Sequence, residues 1–116
     1  MHDIKKLKVY DKAYKLALDI YKSTELFPKS ELFGLVSQMR RSVVSINSNL
    51  MEGGSRKTDG EFRQFIGIAC GSVSELEFQI RLSSDLGFID KDISLNMVKE
   101  ILEIKNMLFA LDKSLT

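Results

Sequence analysis

A chain of 116 residues with one cysteine, one histidine and a formal charge of +1 is long enough for one domain with its own core. Its composition excludes an internal disulfide framework and any zinc, diiron or triad chemistry that needs several histidines or cysteines. No run approaches the roughly 20 apolar residues that span a bilayer, so no membrane role is expected.

The near-zero charge hides a division. Residues 1–58 carry eleven Lys and Arg against six Asp and Glu, whereas residues 59–116 carry six against ten. Such a division steers an anionic partner to one end, or lets unlike halves of neighbouring copies attract. The first residues, MHDIKKLKVYDKAYK, lack the apolar centre of a signal segment, so a cytoplasmic protein is expected. His2 falls in this lead-in, which is expected to be disordered.

The first helix is predicted over about residues 8–25. Val9, Tyr10, Ala13, Tyr14, Leu16, Ala17, Ile20 and Tyr21 fill two adjacent apolar rows. Lys8, Lys12, Lys15 and Lys22 share the opposite row with Asp19, which is either a solvated face or a track for phosphates. Phe27-Pro28 stops this helix, because a residue before proline is pushed out of helical dihedrals.

A second helix is predicted over about residues 31–52, with Ser30 and Glu31 at its start and Gly53-Gly54 closing it in left-handed conformation. Leu35, Met39, Val43, Ile46 and Leu50 form the row turned to a core. Gln38, Arg41, Ser45, Ser48/Asn49 and Glu52 form a polar row. That row is either solvated or a network in which Arg41, Asn49 and Glu52 satisfy one another. Arg56 and Lys57 follow on a polar loop, beyond a helix C-terminus where cations are favoured.

Thr58 or Asp59 caps a third helix, predicted over about residues 59–86. Phe62, Phe65/Ile66, Ala69, Val73, Leu76, Ile80 and Ser83 recur at close to 3.5 residues, the seam of a bundle. A second row holds Gly67, Gly71, Ser74 and Phe78. Glycines four apart suit close helix contact, within one copy or between copies. Cys70 reads as a small core residue rather than a nucleophile. Gly87 ends this helix, and Asp90 or Asp92 caps a fourth, predicted over about residues 92–112. Short connections between four helices predict an all-α, antiparallel up-down-up-down bundle in one domain. The apolar arcs of helices one, three and four exceed the roughly 100° stripe a lone bundle needs, leaving either a generous core or an oligomer interface. Glu75 and Glu77 face different directions and are no catalytic pair. No phosphate-binding or dinucleotide motif occurs, so neither an enzyme nor a cofactor is expected.

Several ordered motifs resemble one family. They are Leu26-Phe27-Pro28, Glu31-Leu32-Phe33-Gly34-Leu35, Gln38-Met39-Arg40-Arg41-Ser42, Ser45-Ile46-Asn47-Ser48-Asn49 and Glu52-Gly53. Phe62 to Ser72 with Glu75-Leu76, and Leu86-Gly87-Phe88-Ile89, continue the match. Over roughly residues 8–110 the chain resembles the small four-helix-bundle proteins encoded by intervening sequences in bacterial large-subunit ribosomal RNA genes. The resemblance implies a ring-like homopentamer and contact with ribosomal RNA. More distantly, the chain is similar to accessory proteins of diversity-generating retroelements, which are pentameric barrels that bind nucleic acid and a reverse transcriptase. Those proteins are expected to be strongly basic, so in this near-neutral chain nucleic-acid binding rests on the basic half.

The expected function is therefore a non-catalytic oligomer that binds structured RNA; the alternative is a scaffold for a protein partner. Candidate phosphate contacts are Arg56 and Lys57, then Arg40 and Arg41, with Lys8, Lys12 and Lys15 as a second track. Candidate structural or interface residues are Gln38, Asn49, Glu52, Gly53, Gly67 and Gly71. The recurrence of the Arg41–Asn49–Glu52 row as a fold signature weakens Arg41 as an RNA contact and favours Arg56 and Lys57.

Overall fold

The computed structural model describes all 116 residues as four α-helices without a strand. They are α1 (Lys8–Thr24), α2 (Ser37–Gly54), α3 (Asp59–Asp85) and α4 (Lys91–Ser114). At about 1.5 Å per residue α3 is about 40 Å long, close to the 43 Å long axis of the molecule.

The rows read from periodicity meet in one core. Met39, Val43, Ile46 and Leu50 of α2 are buried, as are Phe62, Ile66, Ala69, Val73, Leu76 and Ile80 of α3. Val9, Ala13, Leu16 and Ile20 of α1, and Met97, Ile101, Ile104 and Leu108 of α4, complete the four walls. Each large apolar side chain buried here contributes about 1.5–3 kcal/mol relative to exposure. The surplus of the broad arcs is not in this core. Tyr14, Leu18, Tyr21, Ile68, Phe78, Leu102 and Phe109 are all exposed.

Polar contacts set the register. Ser83 donates to Met39 Sδ at 3.4 Å, the Ser45 and Ser72 hydroxyls meet at 2.7 Å, and Gly53 lies against Phe62 and Phe65. Asn47 donates to the Tyr10 carbonyl at 3.1 Å and Arg40 to Thr24 at 3.0 Å. Between α3 and α4, Arg63 bonds Asp112 at 3.0 Å and Ser94 bonds Ser84 at 2.9 Å.

Three local expectations are corrected. First, α2 begins at Ser37 and not near Glu31. A short turn (Lys29–Glu31) and a wide one (Leu32–Val36) precede it, with Gly34 outside helical dihedrals at φ −105°, ψ −111°. The Glu31 carboxylate accepts the Leu35 amide there, and Phe33 is left 91% exposed. Second, the lead-in is ordered. The His2 amide donates to the Gly54 carbonyl at 2.9 Å, its ring meets Asp59 and Phe62, and Ile4 is buried.

The third correction concerns the glycines. Gly53 and Gly54 are not left-handed; they lie within α2, and both are buried. Their lack of a side chain serves close approach. A Cβ on Gly53 would fall 2.6 Å from Phe65 Cβ and 2.9 Å from Phe62 Cδ1, and one on Gly54 would overlap Ile4. Gly67 and Gly71, read as close-contact positions, meet nothing within 4 Å inside the chain. Gly87 alone takes positive φ, at 81°. It turns the chain so that the Phe88 amide reaches the Ser83 carbonyl and the Gly87 amide the Ser84 carbonyl, which closes α3. At the helix starts, Thr58 accepts the Glu61 amide and Asp90 the Asp92 amide.

Gly53→Ala should destabilise the bundle by about 1–3 kcal/mol, since Phe62 and Phe65 must move to admit the methyl group. Urea unfolding measures this; an unchanged midpoint would contradict the close-approach role.

Candidate nucleic-acid interface

The seven cations proposed from sequence divide by what holds them. Arg40 is half-buried; it donates from Nε to Thr24 Oγ1 at 3.0 Å and from Nη2 to the Tyr21 carbonyl at 3.3 Å. Its guanidinium also covers the Tyr21 ring at 4.6 Å. It ties the last turn of α1 to α2. Arg56 donates to Glu52 at 2.8 Å and lies over the Phe65 ring at 4.9 Å, with a buried Nε that has no partner.

Lys12 bridges helices. Its ammonium lies 2.8 Å from Glu100 and 2.6 Å from Glu103 of α4. Hydrogen bonds to Glu100 and Glu103 hold the Lys12 ammonium above its ordinary range, and the bond from Lys12 holds Glu103 below the usual carboxylate range. Lys15 pairs with Asp11, one turn away, at 3.1 Å. Such exposed pairs contribute little to stability, but they occupy the cation.

Lys8, Arg41 and Lys57 are exposed and make no ion pair or side-chain hydrogen bond. The proposed Arg41–Asn49–Glu52 network does not form. Glu52 turns to Arg56, and Asn49 donates to the Ser45 carbonyl and hydroxyl at 2.8 and 2.9 Å. The polar contact between α2 and α3 runs instead through Ser45 and Ser72. Gln38 is exposed and makes no side-chain hydrogen bond. Arg56 and Arg41 thus exchange the parts expected of them: Arg56 is held at the fold, and Arg41 stands free.

The free cations are not one patch. Arg41 lies 13 residues, about 20 Å, back along α2 from Gly54, beyond which Lys57 sits. Lys8 and Lys57 share the end of the bundle where the lead-in crosses the close of α2. Lys5 and Lys6, absent from the expected set, belong to the same end; Lys5 is unpaired, and Lys6 only approaches Asp3 at 3.9 Å. Lys5, Lys6, Lys8, Lys12 and Lys15 line a shallow cleft of about 500 Å³ with Asp11 and Glu100. The run KKLK at residues 5–8 carries this signal in the sequence, and it counts only once the lead-in is ordered.

No three His, Cys, Asp or Glu side chains come together as a metal site would require. Burial pushes the half-buried Cys70 thiol up, away from a reactive thiolate. No helix is long and apolar enough to cross a membrane.

A family model described as the 23S rRNA-intervening sequence protein matches residues 5–110. The chain belongs to this family. Its fold is similar to a crystal structure from Bacteroides thetaiotaomicron VPI-5482, described as a protein with unknown function from the S23 ribosomal protein family. The TM-score is 0.82 at 24% identity, over 90% of this chain and 98% of that one. No protein of curated function matches the sequence. Membership agrees with the motif resemblance and carries no function with it.

The Lys12 bridge has a defined pH window. A raised lysine contributes stability below its unfolded value of 10.5, and a depressed carboxylate contributes above its unfolded value of 4.5. Lys12→Met should therefore be less stable than the parent near neutral pH. The difference should shrink as pH falls through the acid range and Glu103 is protonated. Urea midpoints of both proteins across pH 3–8, about the range of carboxylate titration, check this; a constant difference would contradict it.

Proposed function

We propose that this chain is a non-catalytic RNA-binding protein that works as a homo-oligomer, with ribosomal RNA as the ligand class. The observation that carries the reading is the end of the bundle where Lys5, Lys8 and Lys57 stand exposed without an ion pair. Unpaired cations on a rigid helix end bind phosphates by releasing counterions, with no need for base contacts. Membership of a family described by an rRNA intervening sequence supports RNA over other polyanions. A cytoplasmic location belongs to the same reading.

Topology and assembly are part of the proposal. Met39 with Ser83, Ser45 with Ser72 and Gly53 with Phe62 run in opposite chain order, which supports an antiparallel up-down-up-down bundle. Exposed apolar residues on α1, α3 and α4 support self-association, and the family resemblance favours a ring of five. A second reading, an oligomeric scaffold for a protein partner, is favoured by the same apolar surface and by the commitment of Arg40, Arg56, Lys12 and Lys15 to intramolecular contacts.

Fluorescence anisotropy with labelled fragments of 23S rRNA tests the binding. Affinity should fall steeply between about 50 and 200 mM salt. Lys8→Ala and Lys57→Ala should each weaken binding and reduce the salt slope by about 1, as loss of one phosphate contact does. Arg56→Ala should leave the slope unchanged while lowering stability. No binding at the low-salt end would leave the scaffold reading.

A further inference from the structure

Beside the exposed apolar residues of α4 and of the turn before α2, two apolar surfaces outside the core differ in form. One is a groove between α1 and α2 of about 720 Å³. All three tyrosines of the chain line it, with Leu18, Val44 and Met51 among its other apolar walls. Tyr14 is 52% exposed there and Tyr21 41%. The other place is a ridge on the outer face of α3, where Ile68 is 53% exposed and Phe78 65%. Between these two side chains the ridge is pared down to backbone at Gly71.

Charge separates the two surfaces. Lys22 follows Tyr21 of the groove and Arg41 lies one turn before Val44, both exposed and neither in an ion pair, while Glu52, the one charged residue lining the groove, is paired with Arg56. Glu75 and Asp85 flank the ridge, likewise exposed and unpaired. Glycine inside a helix is unfavourable relative to alanine, and Gly67 and Gly71 gain no packing inside the chain to offset that. A surface that approached the α3 backbone from outside would supply the missing contact. An aromatic-walled groove with basic flanks suits a ridge of small and apolar residues with acidic flanks.

We propose that the α3 ridge of one copy seats in the α1/α2 groove of a second copy. This rests on the reading that the chain self-associates, and it names the surfaces used. Groove and ridge are different surfaces, so the contact is heterologous: every copy offers a groove to one neighbour and a ridge to another. Groove against groove would face two basic-flanked surfaces and ridge against ridge two acidic-flanked ones, whereas groove against ridge pairs unlike charges.

Site-directed cross-linking tests the pairing. In a Cys70→Ser background, Ser48→Cys places one thiol in the groove and Ser74→Cys one on the ridge; both serines are exposed. Co-expressed with different tags and mildly oxidised, the two proteins should form a disulfide-linked pair containing one of each. Neither should cross-link when expressed alone. A homodimer of either protein alone, or no cross-link while light scattering of the Cys70→Ser parent shows an oligomer, would overturn the proposed pairing. A monomeric parent would overturn the self-association reading together with it. Gly71→Leu gives an independent check. Its first carbon meets nothing inside the chain, so helicity should be retained while association weakens at least tenfold. A mass equal to the parent's at every dilution would also overturn the pairing.

Discussion

How closely α2 can lie against α3 governs the rest of this bundle. At the end of α2 the limit is set by Gly53, whose missing side chain leaves room for Phe62 and the Cβ of Phe65. With those rings seated there, Ser45 reaches Ser72 two turns back, and Met39 receives Ser83 further on. The same close passage leaves Gly54 free to be covered by Ile4, which draws the first residues of the chain onto the α2–α3 corner. Rigid aromatic and aliphatic side chains cannot yield much in a core packed to crystalline density, so one position controls a long seam.

The electrostatics follow from this packing. Helices brought side by side place charges of opposite sign within reach, and the pairs that form remove cations from the surface available to a polyanion. Lys12 is lost to Glu100 and Glu103, Arg63 to Asp112, and Lys105 to Glu77. Asp112 also raises the Arg63 guanidinium further above its ordinary range. What remains for an RNA is set by which cations lack a neighbour. Those are mostly residues of the turns and helix ends, where no adjacent helix supplies a carboxylate.

Much of the architecture was legible because core rows repeat with the helix. Every buried apolar residue of α3 stands in the expected row, with Ser72 and Gln79 buried beside it, and Thr58, Gly87 and Asp90 act at helix ends as their chemistry suggests. Two departures from expectation depend on what lies across from a residue. A double glycine at a helix end serves equally for a left-handed turn or for a tight crossing, and only the position of Phe62 and Phe65 decides. Arg40 and Arg41 are neighbours in sequence but about 100° apart around the helix. One meets Thr24 and Tyr21, while the other meets water. Glu52 lies about three helical turns from Arg41 but only four residues before Arg56, so its partner is the arginine of the turn after α2. The candidate site was therefore less legible than the fold, because charge partners are chosen by tertiary contact.

The anchored N-terminus has a practical bearing. His2 and Ile4 fasten the start of the chain to Gly54, and the imidazole reaches Asp59 beside the Lys57 corner. A purification handle fused ahead of Met1 would emerge over the same corner as Lys5, Lys8 and Lys57. A polyhistidine or acidic leader there would change the local field and shade those ammonium groups. Binding assays on such a fusion would then report the handle as much as the protein.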